Sequence, residues 1–177
     1  LVMKDLVNSG SNAIANAIWK DIAITQGNNY VLSADIKAAD LNSNVYVSWR
    51  AGKYNTGKFL PAPFFISAGG EITIFDTNMG TAVPNSWYHV QAMIDTAQSI
   101  LKVYVNGKYI AQTTIPADTL TSWVDSGFFS VQLGQSAPGK TTTTSTAYFD
   151  NFSVKKFIPL MYCQALTHIN LSLLYMR

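Results

Sequence analysis

The chain has 177 residues, 48% apolar and only 12% charged, with a formal net charge of +2. That length suits one domain with a real core. The charge is small and scattered apart from Lys155-Lys156, which excludes an electrostatic nucleic-acid footprint, and no run of about 18 apolar residues offers a membrane span.

The charged share lies well below the usual figure of about 25%. Surface polarity must therefore come from Ser, Thr, Asn and Gln, a pattern that suits an extracellular module. Residues 1–20 are rich in Asn, Ser and Ala with a weak pattern. From Asp21 the alternation sharpens, with Ile22 and Ile24 against Ala23 and Thr25. GNN at 27–29 reads as a turn and YVLSADIKA at 30–38 as a strand. NVYVSWR at 44–50 sets Val45, Val47 and Trp49 against Tyr46, Ser48 and Arg50. A loop with two prolines follows, from Lys53 to Pro63. PFFISAGGEITIF at 63–75 reads as a hairpin turning at Gly69-Gly70, and 76–86 as a loop.

WYHVQAMID at 87–95 is a strand with Tyr88, Val90, Ala92 and Ile94 on one face. LKVYVNGKYI at 101–110 carries the strongest short signal in the chain. Leu101, Val103 and Val105 alternate with Lys102 and Tyr104, and Asn106-Gly107 suits a type I′ turn because both residues tolerate positive φ. Residues 113–127 read as a connection with a short helical turn, and GFFSVQLG at 127–134 as a strand. QSAPGKTTTTST at 135–146 is a low-complexity loop, and AYFDNFSVKKF at 147–157 closes the domain. Roughly nine to eleven strands with no strong amphipathic helix predict an all-β fold, a two-sheet antiparallel β-sandwich of jelly-roll type over residues 1–157. Residues 158–177 shift abruptly to Leu, Met and Tyr. They read as an apolar tail, linker, neighbouring domain's start or expression-derived segment, with a dimerisation or docking role as the alternative. The start at Leu1 reads as a cut from a longer protein.

Three segments together resemble a known family. They are GNNYVLSADIKA, SWYHVQAMIDTAQSILKVYVNGKYIAQTTI and AYFDNFSVKK. A Trp, an Asp-turn, a VYVNG hairpin and a closing YFDNFSV strand resemble concanavalin A-like and laminin-G-like β-sandwiches. They are equally similar to carbohydrate-binding modules of bacterial polysaccharide-degrading enzymes. The resemblance covers residues 20–157 and is more specific for fold than for ligand. Many such modules hold a structural calcium ion under an Asp of the closing strand, so the resemblance implies Asp150 as a metal ligand. Calcium takes 6–8 oxygen ligands, and backbone carbonyls with Asn or Asp oxygens of the N-terminal segment would supply the others. An unbroken strand would put Tyr148, Asp150, Phe152 and Val154 on one apolar face, where a carboxylate is costly unless coordinated or hydrogen-bonded.

Catalytic chemistry finds little in the sequence. Glycoside hydrolysis normally takes two placed carboxylates, and Glu71, the one glutamate, sits beside a predicted turn. A lyase on this fold would use His, Tyr and Arg or Gln. His89 and Gln91 share a strand face, but matching Arg- and Tyr-rich strands are not apparent. Cys163 is the only cysteine, so no intrachain disulfide forms. No phosphate loop, GxSxG or HExxH motif occurs. The sequons at Asn151 and Asn170 matter only in a eukaryotic secretory host.

Sugar rings offer apolar C–H patches and a rim of hydroxyls, which flat aromatics and uncharged polar groups match. The candidate ligand-binding residues are Tyr46, Arg50, Tyr54, His89, Gln91, Tyr104 and Trp123. Trp123 is read as projecting from a polar loop and Tyr54 as stacking from a Gly/Lys/Asn loop. Trp19 and Trp87 are read as packing. Trp49 is read the same way, with a platform role as its alternative because either sheet face can be core. The expected function is non-catalytic binding of a plant or microbial polysaccharide by a secreted bacterial module that targets a tethered catalytic domain. The alternatives are an adhesive or structural domain contacting a protein or cell surface, and a polysaccharide lyase or hydrolase.

Overall fold

Alternating apolar residues build the walls of the sandwich. In a computed structural model, residues 1–5, 15–51, 62–136 and 144–157 are described. The strands are β1 (Val2–Asp5), β2 (Ala15–Ala23), β3 (Asn29–Ala38), β4 (Asn44–Ala51), β5 (Phe64–Ile66), β6 (Glu71–Ile74), β7 (Thr77–Thr81), β8 (Trp87–Asp95), β9 (Ile100–Val105), β10 (Lys108–Thr114), β11 (Phe128–Ser136) and β12 (Ser145–Phe157). One helix, α1 (Ala117–Ser126), lies between β10 and β11. The first sheet runs β1-β12-β3-β8-β9-β10, and the second runs β2-β11-β4-β5-β6-β7. All pairings are antiparallel.

Period two sets the two faces of each sheet. In β3, Tyr30, Leu32, Ala34, Ile36 and Ala38 point inward, while Val31, Ser33, Asp35 and Lys37 point outward. Val90, Ala92 and Ile94 of β8 and Leu101 and Val103 of β9 extend that inner face. The second sheet answers with Val45, Val47, Phe64, Ile66, Phe129, Val131 and Leu133. The core lies between these two apolar faces.

The hairpins form where the sequence puts them. Asn106 and Gly107 have φ of 51° and 76°, and Lys108 pairs with Val105 directly across the turn. Gly69 and Gly70 turn β5 into β6, with φ of 98° and 90°. Residues 76–86 differ from the expected loop, because Thr77–Thr81 adds β7 to the sheet edge. That strand is exposed throughout, so it carries no apolar alternation to read.

The connection before β11 is a ten-residue helix, longer than the single turn expected. Gly127 ends it in the left-handed conformation, where its N–H donates to the Val124 carbonyl at 3.1 Å. The helix buries Thr119, Leu120 and Trp123. Trp123 is therefore a correction: it is fully buried against Phe129, ring centroids 5.3 Å apart, and is no loop platform. Its three-residue spacing from Leu120 aims it at the core, a pattern hidden in a short polar segment.

Candidate functional site

The described residues expected to make one ligand surface fall on two different sheets. Tyr46 and Arg50 lie on β4 of the second sheet, while His89, Gln91 and Tyr104 lie on β8 and β9 of the first. Packed sheets sit about 10 Å apart, and the two outer faces look away from each other. Tyr54 and residues 158–177 with Cys163 lie outside the described residues.

On the second sheet, Tyr46 and Phe65 are register partners on β4 and β5. Their rings lie near parallel, 19° apart, with centroids separated by 6.1 Å. The Tyr46 ring lies over Gly134 of β11, its register partner, so closely that a Cβ there would stand 2.5 Å from the ring. The absent side chain is what lets the ring lie flat. Gln132 donates an amide hydrogen to the Tyr46 hydroxyl at 3.4 Å. One row further, Ser130 donates to Asp21 at 2.6 Å. Arg50 is in register with Ser130, and both Trp19 and Ser48 with Gln132. This face thus joins two half-buried flat rings to the buried Gln132 amide and Ser130 hydroxyl and to the exposed Asp21 carboxylate.

On the first sheet, Asp35 of β3 and His89 of β8 are register partners. His89 Nδ1 donates to Asp35 Oδ1 at 2.5 Å, and its Nε2 lies 3.4 Å from Ser33 Oγ. Asn151 Nδ2 donates to the second Asp35 oxygen, also at 2.5 Å. Partial burial pushes the Asp35 carboxyl up, but the hydrogen bonds from Asn151 and His89 and the His89 charge outweigh it. The carboxyl ends below its ordinary range. Asn106 of the NG turn holds the backbone of His89 from both sides, through Oδ1 at 2.9 Å and N–H at 2.8 Å.

Gln91 pairs with Ser33 on one side and Tyr104 on the other. Tyr104 meets Tyr109 edge to face at 5.6 Å. A cavity of about 280 Å³ opens among Val31, Gln91, Met93, Tyr104 and Phe157. At the other end of the same face, Lys37 places its ammonium 5.0 Å from the Trp87 ring centroid and 4.3 Å from that of Tyr148. Trp87 is 46% exposed, which corrects its expected place in the core. Its parity with His89 and Gln91, opposite Val90 and Ala92, was the signal for this.

Asp150 also departs from its expected environment. Ala147 and Phe149 are the buried residues, so Tyr148 and Asp150 point outward. A bulge between Asp150 and Ser153, with Asn151 at φ 49°, then reverses the alternation, and Val154 packs on the core. The exposed Asp150 carboxylate accepts the Asn151 backbone N–H at 2.8 Å. Its position on a buried apolar face, the premise for coordination, does not hold. Among the described residues no three His, Cys, Asp or Glu side chains gather around an ion position. The N-terminal oxygens expected beside Asp150 include those of residues 6–14, which lie outside the described residues.

A family model for the concanavalin A-like lectin/glucanases superfamily matches residues 6–156. The chain belongs to this superfamily. Solved structures share its concanavalin A-like fold. A sialidase superposes with a TM-score of 0.60 at 13% identity over 87% of this chain, which spans only 15% of that protein. Alginate lyase AlyC3 in complex with dimannuronate gives 0.57 at 14% identity, over 88% of this chain and 74% of the lyase. Alginate lyase AlgAT5 from polysaccharide lyase family 7 gives 0.52 at 10% identity, over 88% and 68%. A search of the curated proteins found no match to the sequence. At these identities the likeness establishes the concanavalin A-like fold alone. Its named enzymes lend no support to a strictly non-catalytic module.

Proposed function

We propose that this concanavalin A-like chain binds a polysaccharide on the outer face of its second sheet. The observation that carries the reading is the near-parallel Tyr46–Phe65 pair laid on Gly134, with the Gln132 amide at its edge. Flat rings meet the C–H face of a pyranose. The polysaccharide lyases among its structural neighbours support that class of ligand. Secretion, a tethered catalytic domain and a calcium ion at Asp150 belong to the same proposal.

Affinity electrophoresis against alginate, xylan, mixed-linkage glucan, mannan and pectin tests it, with and without a chelator. Retardation on one polymer class, weakened in Tyr46→Ala at unchanged fold, is the expected result. Retardation lost with the chelator would bring calcium to the site or its scaffold. Absence of retardation on every polymer overturns the reading and favours an adhesive contact with protein.

The hydrogen bond between Gln132 and the Tyr46 hydroxyl favours a second reading, β-elimination on the same face. A phenol can exchange a proton in such a reaction while an amide steadies the sugar carboxylate. A fall in polymer viscosity that Tyr46→Phe abolishes would establish that reading in place of simple binding.

A further inference from the structure

The opposite face carries a constellation that the binding reading does not use. Ser33, His89 and Asp35 stand in the order that activates a serine nucleophile. Asp35 accepts the Nδ1–H of His89, and in that tautomer the Nε2 lone pair faces the Ser33 hydroxyl. The 3.4 Å separation from Ser33 Oγ is longer than a tight bond, as such contacts often are before substrate is bound. Every member sits on a strand of one sheet, and Asn151 and Asn106 fix Asp35 and His89 from outside the triad. The His89 side chain is 41% exposed, so a ligand can reach it.

We propose that Ser33, His89 and Asp35 form a catalytic site for hydrolysis of short-chain carboxylic esters. The cavity beginning at Gln91, the partner of Ser33, has Val31, Met93 and Phe157 as an apolar wall for the acyl chain. Gln91 and Tyr104 at its rim supply N–H and O–H donors for the carbonyl oxygen as it gains charge. The leaving alcohol lies over His89, on the side of Trp87. Ser33 Oγ attacks the ester carbonyl carbon and its proton passes to His89 Nε2. The tetrahedral adduct then collapses, the C–O bond to the alcohol breaks, and His89 returns the proton to the departing alkoxide. Water repeats the sequence on the acyl-Ser33 ester, releasing the carboxylic acid and restoring the serine. No oxidant or metal enters the balance.

The site is separate from the glycan face, so the proposal does not rest on the polysaccharide reading. The test uses the full chain with p-nitrophenyl butyrate and, separately, a fluorophosphonate probe with peptide mapping. The expected result is hydrolysis with the probe on Ser33, and a loss of about 10³-fold or more in Ser33→Ala and His89→Ala. Gln91→Ala is expected to lower kcat by about 10²-fold with little change in KM, as loss of an oxyanion donor does. Hydrolysis that survives Ser33→Ala, labelling elsewhere, or neither hydrolysis nor labelling in the wild type overturns the proposal. Circular dichroism of each variant separates a chemical loss from a folding loss. Glycan retardation of the wild type is read independently, so either idea can fail alone.

Discussion

Asp35 shows how one side chain on an outer sheet face acquires a defined role. Its carboxyl is held below the ordinary range, since bonds from Asn151 and His89 outweigh partial burial. A depressed folded-state value stabilises the protein above the unfolded value, and this contribution is lost as pH falls through the folded one. Asp35→Asn is therefore expected to be less stable than the wild type near neutrality. The gap should narrow in the acid range below the usual carboxylate value, as measured by urea denaturation across pH. A gap that is flat or widens on acidification would contradict the assignment. Trp123 makes the complementary case, a side chain first read as a ligand platform and found in the core. Trp123→Ala should cost about 3–5 kcal/mol in chemical denaturation. Trp123→Phe should cost much less, since the indole N–H is buried without a hydrogen-bond partner among the described residues.

At the scale of the element, β11 matters through a residue with no side chain. Gly134 lets the Tyr46 ring rest on the strand, and the nearest atoms to an added Cβ are at the far end of that ring. Those atoms belong to a rigid ring, so the whole ring must move and its contacts with Phe65 and Gln132 are disturbed. Gly134→Ala is accordingly expected to lower the melting temperature while weakening glycan retardation several-fold, because the ring no longer lies parallel to Phe65. Equal retardation would remove the platform from the binding surface. The bulge in β12 has a similar reach. By reversing the alternation after Asp150, it turns Val154 inward and leaves the Asn151 side chain beside Asp35. Period-two reading of YFDNFSV assumes an unbroken strand, so it placed Asp150 on the wrong face.

For the whole molecule, pairing across the full length of the chain is the governing fact. β1 pairs with β12, β2 with β11 and β3 with β12. Between the sheets, Gln135 donates to Ser43 at 2.9 Å and to Ser145 at 3.1 Å, and Ser145 donates to Asp40 at 2.7 Å. These residues come from β11, β12 and the segment between β3 and β4, and the bonds form only once both sheets have assembled. Non-local pairing must meet its loop-closure cost before contacts repay it. Refolding measured by stopped-flow tryptophan fluorescence is expected in the millisecond-to-second range or slower. A microsecond main phase would contradict this topology.

The strands with clean alternation, the two glycine turns and hence the sandwich class are legible in the residue order alone. Those features depend on neighbours within a few residues, where sterics and the period of two suffice. The same alternation marks His89, Gln91, Tyr104 and Tyr46 as outward residues. That Tyr46 lies on the opposite face from the others follows from strand pairing, which also sets Ser33 and Asp35 beside His89, and packing of α1 takes Trp123 into the core. Which strands become neighbours is settled by burying two apolar faces against each other, and that choice is made between residues more than fifty positions apart, as Asp35 and His89 are.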